Sequence, residues 1–170
     1  MEYRMPERVN LGKSYNSVLG APIMQRGSTD EDPTYWNPLD RPTVMGYVIP
    51  EWQRPLVWSQ AQSIKFIESI WLGLPLGTYT INIDTGSNDE PTRNIIIDGQ
   101  QRMNAIEEYL EGKFPVFGKF HADLNDVELR VFAMTGFCSL ETASSDMEYL
   151  KSYYNLMNFG GTNHTEEQRA

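Results

Sequence analysis

The alternation of apolar and polar positions divides the chain near residue 43. Before that point apolar residues are scattered among Gly12, Gly20, Gly27 and the acidic run Asp30-Glu31-Asp32-Pro33, so residues 1–43 read as an irregular N-terminal arm. After it the pattern becomes regular. Val44 to Ile49 is rich in strand formers and closes at Pro50, which cannot donate to a ladder. Pro55 pushes Arg54 out of the helical region, so Trp52 to Trp58 should run extended. Ser59 and Gln62 then form a capping-box pattern. Ile64, Ile67 and Trp71 follow at helical spacing, with Phe66 and Ile70 widening the stripe and Gly73 and Pro75 as the stop.

Tyr79, Ile81 and Ile83 alternate with Thr80 and Asn82, which predicts a strand with one buried face. After a turn over 85–93, Ile95-Ile96-Ile97 reads as a strand buried on both faces. It passes through Asp98-Gly99 into a helix from Gln100 to Glu111 that buries Met103, Ile106, Tyr109 and Leu110 and ends at Gly112. Lys113 to Phe117 reads as a short strand. Asn125 caps a helix to Met134 whose apolar stripe is Val127, Val131 and Met134. Gly136 to Leu140 suggests another strand. Ser145 and Glu148 repeat the capping box before a helix carrying Met147, Leu150, Tyr154 and Met157, which stops at Gly160-Gly161. The prediction is an α+β domain over residues 44–167, a small mixed sheet flanked by helices, with 168–170 as a tail.

Composition narrows the function classes. With 170 residues and 40% hydrophobic content the chain can build a real core, which excludes a wholly disordered protein. Its 14 Lys and Arg stand against 23 Asp and Glu, a net charge of −9. That balance argues against broad non-specific nucleic-acid binding, which needs surplus cations to release counterions, and leaves room for one local cationic pocket. Acid is concentrated late: residues 123–170 carry 3 basic and 8 acidic side chains. One cysteine, Cys138, allows no internal disulfide, and no Cys/His spacing suggests a structural zinc site. The N-terminus has no apolar leader segment, and no stretch approaches the roughly 20 apolar residues of a membrane span. The expectation is a cytoplasmic protein with no membrane partner.

The most informative chemistry lies at Asp98-Gly99-Gln100-Gln101-Arg102, where a buried strand turns through glycine directly into a helix. Free N–H groups at a helix start attract anions. Gln100 and Gln101 can donate to phosphate oxygens, Arg102 can pair with phosphate bidentately, and Asp98 can hold Mg²⁺ or orient a water. The plainer reading weighs about equally: Asp98 and Gln101 also have capping-box spacing, and Arg102 is then a solvated side chain. Gln53 and Arg54 sit on a backbone stiffened by Pro50 and Pro55, which can present a guanidinium rigidly, although Trp52 and Trp58 read better as core anchors than as a stacking platform. Asn158 with Gly160 and Gly161 suits a helix C-cap, or a close backbone approach to a ligand. His121, beside Asp123, Asp126 and Glu128, reads as a loop residue rather than a metal ligand.

Three stretches, Ile49-Pro50-Glu51-Trp52-Gln53-Arg54-Pro55-Leu56-Val57-Trp58, Ile97-Asp98-Gly99-Gln100-Gln101-Arg102-Met103 and Asn158-Phe159-Gly160-Gly161-Thr162, together resemble the N-terminal domain of GmrSD-type restriction endonucleases, of the ParB/sulfiredoxin-like superfamily. The resemblance spans roughly Val44 to Glu167. It implies a compact domain whose strand-to-helix junction binds nucleotide phosphates and supports triphosphate hydrolysis or regulates a nuclease in defence against phage DNA. It assigns Gln53, Arg54, Gly99, Gln100, Arg102, Asn158, Gly160 and Gly161 to phosphate binding, Asp98, Gln101 and Arg102 to catalysis, and Asp98 to the metal. Relatives carry a His-Asn-His nuclease region after this domain, and His121 and His164 are the only histidines here.

Three functions follow. The first is a nucleotide-phosphate-binding domain, a Mg²⁺-dependent nucleoside triphosphate hydrolase or binder in phage–host restriction conflict. The second is a non-catalytic acidic interaction protein that inhibits a host defence or DNA-binding protein, favoured by the net −9. The third is a metal-dependent DNA nuclease, disfavoured by the same acidity.

Overall fold

The Ser59 hydroxyl accepts from Gln62 N, and the Gln62 amide oxygen accepts from Ser59 N at 2.8 Å. This reciprocal cap satisfies two orphan donors and starts the helix at the residue that the sequence marks. The computed structural model describes residue 10 and residues 12–83 and 91–159. Among these the helices are α1 (Gly20–Glu31), α2 (Pro33–Trp36), α3 (Gln60–Trp71), α4 (Gln100–Leu110), α5 (Asp126–Met134) and α6 (Met147–Phe159). The strands are β1 (Lys13–Tyr15), β2 (Thr43–Val44), β3 (Tyr47–Val48), β4 (Thr78–Asn82), β5 (Ile95–Asp98) and β6 (Cys138–Thr142). They form one mixed sheet in the order β1-β6-β4-β5-β3-β2, so the fold is α+β.

β5 has helices on both sides, and its sequence shows why. Ile96 joins the larger core with Tyr79, Ile67, Met103 and Ile106, where α3 and α4 pack. Its neighbours Ile95 and Ile97 face the other way, under Leu150, Tyr153 and Tyr154 of α6. All three isoleucines are 0% exposed, and each contributes about 1.5–3 kcal/mol on burial.

Several sequence expectations need correction. The expected irregular arm over 1–43 is corrected for its described residues 12–43: β1 is the edge strand on β6, and α1 runs for twelve residues. Helix α1 contains Gly20, Pro22, Gly27 and Thr29, so its sequence hides it, and tertiary contacts hold it instead. Leu19 is fully buried, Arg26 bonds Glu111 at 2.9 Å, and Thr29 Oγ1 donates to Gly46 O at 3.1 Å. Val44 to Ile49 is not one strand but the hairpin β2–β3, folded at Met45-Gly46.

Thr80 and Asn82 are buried, not exposed, because β4 lies in mid-sheet with α6 over it. Asn82 is fully satisfied there, donating to Thr92 O and Ser144 O and accepting from Thr142 and Ser144. Lys113 to Phe117 forms no strand, only a bridge from Val116 to Lys119. α5 exists and Asn125 caps it, but Val127, Val131 and Met134 are exposed, whereas Phe132 turns inward against Trp71 and Tyr109. Asp146 rather than Ser145 caps α6, accepting from Glu148 N and Tyr149 N. Gly160 and Gly161 lie outside the described residues. No helix among the described residues is long and apolar enough to cross a membrane.

Candidate phosphate-binding site

The junction between β5 and α4 is held open by what each side chain does elsewhere. Gly99 occupies the cap position of α4 at φ 96°, with no side chain capping the helix. A Cβ there would lie 2.8 Å from Tyr79 Cβ, so only glycine combines this turn with this packing. The first backbone bond of the helix is Met103 N to Gly99 O at 2.9 Å. The amides of Gln100, Gln101 and Arg102 are thus the orphan donors of an uncapped helix start.

The capping-box reading of Asp98 and Gln101 fails because both side chains are engaged elsewhere. Arg102 donates through one nitrogen to Asp98 Oδ2 and through the other to Leu76 O, each at 3.0 Å. The pair is mostly buried, with the two side chains 19% and 25% exposed. Burial pulls the Arg102 guanidinium below its ordinary value, and Asp98 opposes that shift. Gly77 leaves room for the guanidinium, since a Cβ there would lie 2.7 Å from Arg102 Nη1.

Gln101 is spent on the chain, not on a ligand. Its oxygen accepts from Val57 N at 2.9 Å and Trp58 N at 3.1 Å, and its nitrogen donates to Pro55 O at 3.1 Å. Gln53 does similar work: its amide nitrogen donates to Ile96 O at 3.0 Å and Ile97 O at 2.8 Å, where β3 has already ended. Trp52 lies against Tyr154 with ring centroids 5.1 Å apart, and the Tyr154 hydroxyl accepts from Arg54 N at 3.4 Å. Residues 52–58 are therefore pinned on both sides of Arg54. Sequence reasoning missed Leu76, Gly77 and Tyr154, whose contacts with this region are all distant in sequence.

These residues surround one hollow of about 90 Å³, lined by Gln53, Arg54, Trp58, Asn158 and the run from Asp98 to Arg102. At roughly 30 Å³ per water it admits a phosphate group but no nucleoside. Three of its groups have capacity to spare. Arg54 is exposed and makes no ion pair among the described residues. Gln100 is 5% exposed, and its Oε1 has no hydrogen-bond partner. Asn158 uses its nitrogen on Tyr154 O at 3.0 Å.

Mg²⁺ fits this donor set. Asp98 is the carboxylate that lines the hollow, and magnesium is commonly held by one or two carboxylates plus substrate phosphates. Among the described residues no three His, Cys, Asp or Glu side chains cluster as a metal cage. His121 is no ligand either: its ring stands between Tyr109 and Phe132, and burial lowers its pKa.

The family model for the GmrSD restriction endonuclease, N-terminal domain, matches residues 38–169, and the chain belongs to this family. No curated protein and no solved structure matches it. Family membership relates the chain to restriction of DNA.

Proposed function

We propose that the domain binds the phosphate end of a nucleoside triphosphate in the hollow before α4, with the nucleoside lying outside it. The observation that carries this reading is the uncapped start of α4 opening beside an unpaired arginine. Backbone amides and the positive end of the helix dipole favour a phosphate there, and Arg54 completes the cradle. Asp98 would hold Mg²⁺, which offsets the negative charge of the phosphates.

Asp98 is the one carboxylate that lines the hollow among the described residues, and Arg102 holds it. That makes Asp98 the group to orient a water toward the terminal phosphorus. Gln101 acts at one remove, by holding the backbone on which Arg54 is presented. In a restriction family, a bound or hydrolysed triphosphate would serve to switch DNA cleavage by an attached or partner nuclease.

Equilibrium binding of the four ribonucleoside triphosphates, with and without Mg²⁺, tests this, together with phosphate release. Binding of at least one, weakened about tenfold or more in Arg54→Ala with the fold retained, is expected, since hydrogen bonds to charged groups are worth about 1.5–3 kcal/mol. Failure of all four to bind overturns the proposal.

A further inference from the structure

The polar hollow before α4 holds more than a cradle for an anion. Its lining carries two arginines against one carboxylate, a formal balance of +1, and the positive end of α4 adds to it. That field suits a phosphate. It also repels a bare cation, and Asp98 is a weak counterweight while Arg102 occupies one of its oxygens.

Three acceptors stand on the same lining. Gln53 gives its amide nitrogen to Ile96 O at 3.0 Å and Ile97 O at 2.8 Å, and Asn158 gives its own to Tyr154 O at 3.0 Å. A flipped amide would set oxygen against a carbonyl oxygen, so in both residues the oxygen is the end left for the hollow. Asp98 receives Arg102 on Oδ2, which leaves Oδ1. Among the described residues none of these three oxygens accepts a hydrogen bond, and none is shut off from solvent. They come from the stretch after β3, the end of β5 and the end of α6. The hollow at the far end of α4, about 290 Å³ with Trp71, Tyr109, Val116 and Leu124 in its walls, has no such set.

An anion site is thus joined to unspent acceptors, two of them neutral. Ionised phosphate oxygens bring no donor to such acceptors. The waters of a magnesium ion do, because magnesium gives up its hydration reluctantly and keeps several waters when it binds a carboxylate and phosphates. Neutral amides accept from those waters without adding charge that opposes the phosphates. The two ligands then support each other: phosphate cancels the field that excludes the cation, and the hydrated cation supplies the donors that the acceptors lack.

We infer that Gln53 and Asn158 hold the hydrated Mg²⁺ of a Mg²⁺–triphosphate complex beside Asp98, so that the hollow selects the complex over the bare triphosphate and over the free cation. This rests on the triphosphate reading above, and adds to it two positioning residues and the form in which the ligand enters.

Asn158 is the residue to change, since it stands near the end of α6, whereas Gln53 also bonds β5. Equilibrium titration of the full chain with the tightest-binding ribonucleoside triphosphate, in EDTA and in Mg²⁺, reads the coupling. Asn158→Ala should match the unaltered chain in EDTA and bind about fivefold more weakly in Mg²⁺, the worth of one hydrogen bond. Asn158→Asp should bind more weakly in EDTA, where its carboxylate faces the phosphates, and be tightened more by Mg²⁺ than the unaltered chain is. With Mn²⁺ in place of Mg²⁺, the side-chain amide signals of Gln53 and Asn158 in the isotopically labelled chain should broaden once triphosphate is added and not before. Equal losses in EDTA and Mg²⁺ for Asn158→Ala mark a structural role and overturn the inference, as does equal broadening by Mn²⁺ alone. Triphosphate binding whose Mg²⁺ dependence neither variant alters also overturns it, and leaves the phosphate site standing. Failure of every triphosphate to bind overturns that site, and this inference with it.

Discussion

The two ends of α4 invite comparison. At its start, Gln53, Gln101 and Arg102 are fixed by bonds to backbone or carboxylate, Arg54 is left without an ion pair among the described residues, and the hollow between them is small. At its end the cavity is larger and its walls are mostly apolar. One eleven-residue helix, about 16 Å long at 1.5 Å per residue, thus separates a rigid polar cradle from a soft apolar recess. Around the polar hollow most side chains are held by bonds to the chain, so precision there is built from many fixed bonds. An apolar hollow needs only volume, and its selectivity rests on few groups.

The largest expected effect breaks the rigid end. Gly99→Ala forces a Cβ to within 2.8 Å of Tyr79 Cβ at a φ of 96°. A loss of about 3 kcal/mol in urea unfolding is expected from strain and overpacking together. A loss below about 0.5 kcal/mol would show that the junction relaxes freely and is no fixed cradle.

Next come the two arginines of the same hollow. Arg102→Ala strips Asp98 and Leu76 O of their donor, and the expected cost is about 2 kcal/mol, reduced from the value for a fully buried pair because both side chains are partly exposed. Arg54→Ala should change stability by less than about 0.5 kcal/mol while it impairs triphosphate binding. Parallel unfolding and binding measurements separate them. If Arg54→Ala destabilises as much as Arg102→Ala, the guanidinium is structural and the cradle loses its free cation.

Gln101→Met, which keeps the length and removes the amide, leaves the N–H groups of Val57 and Trp58 without their acceptor. Partial exposure of that segment holds the expected cost to about 1.5 kcal/mol. Hydrogen exchange at both amides should rise well beyond the global change. Unchanged protection would mean that residues 55–58 do not depend on α4.

Much of this was legible in the sequence where the chemistry is local. Ser59 with Gln62, the Ile95 to Ile97 run, and the glycines flanking α4 marked their elements because caps and turns act within a few residues. Long-range contacts were not legible. α1 depends on Arg26 reaching Glu111, 85 residues away, and α5 turns Phe132 inward against the rhythm of Val127, Val131 and Met134 because Trp71 and Tyr109 offer it a socket. The residues around the polar hollow could be named from their motif, yet what each one bonds could not. Gln101 reads as a phosphate donor until the backbone of 55–58 is seen folded against it. The apolar hollow had no motif at all, since its walls come from α3, α4, the turn at Phe117 and the approach to α5.

The smallest expected effect lies at the far end of the helix. Tyr109→Phe deletes a fully buried hydroxyl that meets the Trp71 indole and leaves the ring and its stacking on Phe114 in place. One net hydrogen bond is worth about 0.5–1.5 kcal/mol, so a loss of about 1 kcal/mol is expected in thermal and urea unfolding. Level or raised stability would show that the indole gives the hydroxyl nothing, and that this end of α4, unlike its start, is held by ring packing alone.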